Sequence, residues 1–105
     1  MSEILGRLEA SIAERRGASP GSSYVASLFA KGREKMAQKV GEEATETIIA
    51  ALSGDPDKLT SEVADLLFHV LVLLADSGLS ITDVLTELER REGLSGLEEK
   101  AARTK

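Results

Sequence analysis

An all-α fold is predicted for this chain, a helical bundle organised around two long antiparallel helices. Three observations carry that reading. Apolar residues recur at three- and four-residue spacing in each long segment, no stretch alternates apolar and polar as a half-buried strand would, and capping residues punctuate the chain where helices should begin and end. Residues 3–16 place Ile4, Leu5, Leu8, Ile12 and Ala13 at helical spacing, and the breaker GASPGSS follows. Ser22 or Ser23 then caps a short helix from Tyr24 to Ala30. Gly32 interrupts, and a longer helix runs from about Arg33 to Leu52 with Met36, Val40, Ala44 and Ala51 as its apolar stripe. Ser53-Gly54 stops it. Asp55 followed by Pro56 is a strong start signal, an N-cap oxygen and then a proline where no amide donor is needed. The helix it opens continues to about Asp76 and is closed by Gly78, with Leu59, Val63, Leu66, Leu67, Val70 and Leu74 as the main stripe. Ser80, with Asp83 three residues on, approximates a capping box for a last helix through Arg91. The tail, residues 93–105, is read as a short helix or an arm.

The 105 residues suit one domain, 1–105, whose core is small enough for burial in an oligomer to help it. With 13 basic and 18 acidic residues the net charge is −5, a poor balance for general binding of nucleic acid or of an anionic membrane. Only three aromatic residues and no Trp leave no base-stacking platform. An anionic substrate would therefore need a local basic cluster or a bound cation. The absence of Cys excludes disulfides and thiolate metal sites and fits a reducing, cytoplasmic setting. The N-terminal MSEILGRLEASIAERR is too charged for a signal peptide. The apolar run Val70 to Ala75 is far short of the roughly 20 residues that span a bilayer, so a soluble protein is expected.

Four carboxylates do not fit a solvated surface. At about 100° per residue, Glu43 projects between Met36, Val40 and Thr47, inside the stripe of its helix, and Glu46 lies on the stripe's edge. On the second long helix Glu62 lies at the margin of the stripe, with Asp65 three residues on. Beyond Asp65 that helix is apolar almost all round, as a helix covered on several sides would be. Glu43 and Glu46 lie 10 and 7 residues before Ser53, and Glu62 and Asp65 lie 7 and 10 residues after Asp55. Across an antiparallel hairpin the two pairs meet at similar height. Four carboxylates near a core repel one another and lose hydration unless a cation compensates them. Oxygen ligands of this kind suit a hard divalent ion, Mg²⁺ or Mn²⁺. Pairs of acids at i,i+3 are also common on solvated helix faces; the positions inside the stripe and the matched heights are what set these apart. Glu42 points away from Glu43, either to solvent or to a supporting contact. His69, among leucines and valines, reads as a core or interface histidine.

A basic cluster, Lys31, Arg33, Lys35 and Lys39, precedes the acids. Lys39 projects within roughly 20° of Glu46 and could contact a phosphate whose charge the cation also neutralises. For Arg33 and Lys35 plain solvation is an equal alternative. No glycine-rich phosphate loop and no Ser/His/Asp constellation is present, and a single His argues against His-rich zinc catalysis.

KVGEEATE (Lys39 to Glu46) followed by EVADLLFHVLVLL (Glu62 to Leu74) resembles the phosphoribosyl-ATP pyrophosphatases of histidine biosynthesis, members of the all-α nucleoside triphosphate pyrophosphatase superfamily. The superfamily pattern, E-E-x-x-E then E-x-x-D on two facing helices, falls here on Glu42, Glu43, Glu46, Glu62 and Asp65. More specific are SYVASLFAKG (Ser23 to Gly32), the Lys39 that starts the motif, His69 after the second acid pair, and REGLSGLEEKAAR (Arg91 to Arg103). The resemblance spans about residues 3–103. It implies Mg²⁺-dependent cleavage of phosphoribosyl-ATP to phosphoribosyl-AMP and pyrophosphate, between the α and β phosphates. It also implies a homodimer in which helices of two chains complete the bundle. The cyclohydrolase domain fused to some relatives has no counterpart here. The resemblance leads one to expect a tyrosine in many relatives where this chain has Phe68, a departure that bears on a phenol hydrogen bond but not on the chemistry.

The expected division of labour follows. Glu43, Glu46, Glu62 and Asp65 bind the metal, and Glu43 or Glu42 orients or deprotonates the attacking water. Lys39, with Lys31 and Arg33, holds phosphates; His69, Lys100 and Arg103 are further candidate substrate contacts. Two other readings stay open at this level: a house-cleaning enzyme of the same superfamily acting on free nucleoside triphosphates, and a non-catalytic helical dimerisation module.

Overall fold

Local capping chemistry divides the chain into five helices among the described residues, which in this computed structural model are residues 3–93. The first helix, α1 (Glu3–Arg15), is followed by a 3₁₀ turn, Pro20–Ser22. Ser23 then caps α2 (Tyr24–Lys31), its hydroxyl accepting from the Ala26 amide at 3.3 Å. Gly32, at φ 96°, makes the break into α3 (Arg33–Ser53). Gly54, in the left-handed region at φ 79°, ends α3, a conformation that a residue with a Cβ adopts only with strain. Asp55 caps α4 (Pro56–Asp76), its Oδ1 accepting from the amides of Asp57 and Lys58 at 3.0 and 3.2 Å. Finally, α5 (Ile81–Arg91) begins as expected, with the Asp83 carboxylate accepting from the Ser80 amide at 2.9 Å.

The fold is all-α. Its spine is the hairpin of α3 and α4, each 21 residues and therefore about 31 Å long. The shorter helices α1 and α2 close over one end of that hairpin, and α5 returns along α1. There the core assembles from Ile12 of α1, Val25 and Leu28 of α2, Met36 of α3, and Leu71 and Val72 of α4. Arg16 and Arg33 converge on the end of α4: Arg33 Nε lies 2.8 Å from Asp76 Oδ2, and Arg16 donates to the Ala75 carbonyl at 3.2 Å. Glu9 accepts from the Ile81 amide at 2.6 Å, which fixes α5 to α1.

Three details of the expected stripes differ. On α4 the fully buried apolar residues are Leu71 and Val72, while Val63 and Leu67 are exposed, because α1 and α2 cover a different side of the helix from α3 and reach only its C-terminal half. On α3 it is Ala50, not Ala51, that is buried. On α1, Ile4 and Ala13 are exposed, and Leu5, Leu8 and Ile12 face the core. The turn end of the hairpin keeps Ile48, Ile49 and Leu52 open to solvent, Leu52 at 84%. No single helix among the described residues is long and apolar enough to cross a membrane.

Candidate metal and phosphate site

The hairpin brings the four acids together. Glu43 is buried at 7% exposure, inside the apolar stripe where its position in the sequence puts it. Glu62 is half-buried, and Asp65 is exposed one turn further along α4. One carboxylate oxygen from each of Glu43, Glu62 and Asp65 lies within 4.8 Å of the others. Glu46 acts electrostatically on both Glu43 and Glu62, and so links the acids of the two helices.

Electrostatics agree with the geometry. The neighbouring Glu46 carboxyl pushes the Glu43 carboxyl above the ordinary glutamate range, and burial adds to it; Lys39 is among the groups that pull the other way. Burial raises Glu62, and the charges of Glu46 and Asp65 raise it further. Glu43 Oε2 and Glu62 Oε2 are buried without a hydrogen-bond partner. Buried acceptors of that kind are costly unless something positive meets them. Two orphaned carboxylate oxygens with a third ligand oxygen beside them fit an oxygen-seeking divalent cation.

The groups around the cluster have separate duties. Lys39 Nζ lies 3.2 Å from Glu42 Oε1 and 3.8 Å from Glu43 Oε1. Hydrogen bonds from Gln38 and then Lys39 hold the Glu42 carboxyl below its usual range, and they engage both of its oxygens. His69 is buried, and both ring nitrogens are used within the chain: Nδ1 lies 2.8 Å from the Asp65 carbonyl and Nε2 lies 2.7 Å from the Tyr24 hydroxyl. Arg33 is not brought to the acids. It is tied to Asp76, and ten residues of α3, about 15 Å, separate it from Glu43. Lys31 is exposed at the end of α2. Lys100 and Arg103, with the tail from residue 94, lie outside the described residues.

Two side chains at the site were not singled out by their sequence positions. Tyr24, the only tyrosine, registers in the sequence merely as a helix start. Lys58 lines a cavity of about 250 Å³ with Glu46, Ile49, Ala50, Ser53 and Glu62. Its signal was the four-residue step from Lys58 to Glu62, which puts ammonium and carboxylate on one helix face.

The raised values of Glu43 and Glu62 set a pH dependence. Both groups hold protons more tightly in the folded chain than in the unfolded one. Without metal, their contribution favours folding at acid pH and is lost as pH rises from the ordinary glutamate value of 4.5 through their raised values. A divalent cation requires the deprotonated forms, so the gain in unfolding midpoint given by Mg²⁺ over EDTA should grow with pH across that window. A thermal unfolding series at several pH values checks this, and an equal gain at every pH would contradict it.

The chain matches the family described as phosphoribosyl-ATP pyrophosphohydrolase over residues 5–92. It is 62% identical over 105 residues to a phosphoribosyl-ATP pyrophosphatase of Rhizorhabdus wittichii, covering 100% of this chain and 99% of the relative. A protein of the same name from Erythrobacter litoralis is 67% identical over 99 residues, covering 94% and 95% of the two chains. Another, from Methylococcus capsulatus, is 54% identical over 101 residues, covering 96% of each.

Proposed function

The chain belongs to the phosphoribosyl-ATP pyrophosphohydrolase family and is an enzyme of that kind, cleaving phosphoribosyl-ATP to phosphoribosyl-AMP and pyrophosphate; we propose that it does so with Mg²⁺ held by Glu43, Glu46, Glu62 and Asp65. The single observation that supports the metal is the pair of buried, partnerless oxygens on Glu43 and Glu62 beside the Asp65 carboxylate. A divalent cation held there would supply the positive charge that offsets what develops on the phosphates during attack by water.

The chain's own residues supply the rest. Lys39, already leaning on Glu42 and Glu43, holds a phosphate at the rim of the cluster. Of the two candidates to orient the attacking water, Glu42 has both oxygens engaged by Gln38 and Lys39, whereas Glu43 Oε1, the oxygen not given to the cation, lies 3.8 Å from Lys39 Nζ, beyond hydrogen-bonding distance. We therefore assign the water to Glu43. The cavity lined by Glu46, Lys58 and Glu62 adjoins the acids and accommodates part of the substrate. A second copy of the chain covers the apolar turn end of the hairpin, where Ile48, Ile49 and Leu52 are exposed; the working state is then a homodimer. Work on a soluble biosynthetic intermediate supports a cytoplasmic setting.

The test is pyrophosphate release from phosphoribosyl-ATP by the purified chain, with Mg²⁺ and then with excess EDTA. Release that requires the metal is the expected result. Equal release in EDTA would remove the metal from the reading. Turnover of dCTP, dUTP or ATP in preference to phosphoribosyl-ATP would give the site to the house-cleaning reaction. The non-catalytic module gives way already to the enzyme family established above.

A further inference from the structure

We propose that Tyr24 and His69 form a positioning pair for the carboxylate cluster, Tyr24 holding the His69 ring and His69 acting through the Asp65 segment of α4. The proposal rests on the hydrolytic reading of the site. His69 Nδ1 donates to the Asp65 carbonyl at 2.8 Å, the only sense possible, since a carbonyl cannot donate. In the neutral ring that leaves Nε2 as an acceptor, and it lies 2.7 Å from the Tyr24 hydroxyl. The phenol therefore gives its one proton to His69, and its oxygen offers only lone pairs to anything else nearby. An acceptor at the rim of an anionic site repels phosphate and attracts a donor. Lys39 acts electrostatically on the Tyr24 phenol, as do the carboxylates of Glu43, Glu42 and Asp65.

Packing alone does not account for the pair. The Tyr24 side chain is half exposed, so a phenylalanine would fill the same space and bury as much ring. What the hydroxyl adds is a link 45 residues long in sequence, from the first turn of α2 to the ring that bonds the Asp65 carbonyl. His69 is in turn clamped edge-on by Phe68 and Tyr24, with ring centroids 5.4 and 5.7 Å away, so its orientation is set from three sides. Groups that orient metal-binding and phosphate-binding side chains from behind commonly change metal affinity or activity by about tenfold or more when removed.

Tyr24→Phe in the full chain tests the pair with two readouts. One is the Mn²⁺ concentration giving half of the maximal gain in unfolding midpoint, measured without substrate. The other is kcat/KM for phosphoribosyl-ATP. The expected result is a rise of about tenfold in the first and a fall of about tenfold in the second, in a variant that folds. Parent-like values for both would overturn the proposal, and so would a lowered metal-free midpoint with an unaltered Mn²⁺ response, which is the signature of a structural tie only. If the parent chain releases no pyrophosphate at all, the hydrolytic reading fails, while the Mn²⁺ titration still decides the positioning pair.

Discussion

Replacing Asp65 by Ala is expected to lower turnover of phosphoribosyl-ATP by about a hundredfold or more while the helical fold survives. Asp65 is exposed, so little packing depends on its side chain, and surface substitutions of that kind usually change stability by no more than about 0.5 kcal/mol. Its oxygen nevertheless belongs to the group of three that lie within 4.8 Å of one another. Losing one ligand from so small a set weakens the hold on the cation and misplaces the phosphates it would bridge. Glu46→Ala should behave alike, because Glu46 is also exposed and reaches both Glu43 and Glu62. In either variant the metal-free midpoint should hold or rise slightly, since one of four like charges has gone, and Mg²⁺ should add less to it. Initial rates with saturating Mg²⁺, paired with thermal unfolding, measure both halves. An unaltered rate with metal still required would remove that residue from the site.

The grouping of the carboxylates was legible because it depends on local rules. A tight turn at Gly54-Asp55 and a fixed rise per residue are enough to match Glu43 with Asp65 and Glu46 with Glu62 across the hairpin. The caps at Ser23, Asp55 and Ser80 are likewise contacts between residues two or three apart. What the pattern could not specify is which side of an almost wholly apolar helix its own chain would cover. With leucine or valine at most positions from Leu66 to Leu74, periodicity has no polar face to oppose. The choice of Leu71 and Val72 over Val63 and Leu67 is made by where α1 and α2 dock. The same holds for Arg33: its place beside three other bases suggested phosphate binding, but its partner, Asp76, is 43 residues away. His69, read as a core or interface histidine and as a candidate substrate contact, is buried, and its bond to Tyr24 spans 45 residues and leaves no local trace.

Glu43→Leu is expected to raise the metal-free stability of the chain while reducing turnover to background. The native side chain is 7% exposed, has one oxygen buried without a partner, and shares its surroundings with Glu46. Lys39 at 3.8 Å compensates part of that charge but is itself nearer to Glu42. Removing a buried, incompletely paired carboxylate and filling its space with an apolar side chain should gain about 1–3 kcal/mol. For a chain of this size that is several degrees in the unfolding midpoint. Mg²⁺ should then add little, because the ligand it would neutralise is absent and Glu46 has lost its bridging partner. Opposite signs in the two assays, a higher midpoint in EDTA and lost activity in Mg²⁺, would mark Glu43 as a residue held against the interests of the bare fold. A fall in the metal-free midpoint would instead mean that Lys39 and the core around Met36 and Val40 depend on the carboxylate, and the charge would count as structural. The distinction matters because a carboxylate that weakens the bare fold and strengthens the metal-bound one has no physical reason to sit in a core except to meet a cation.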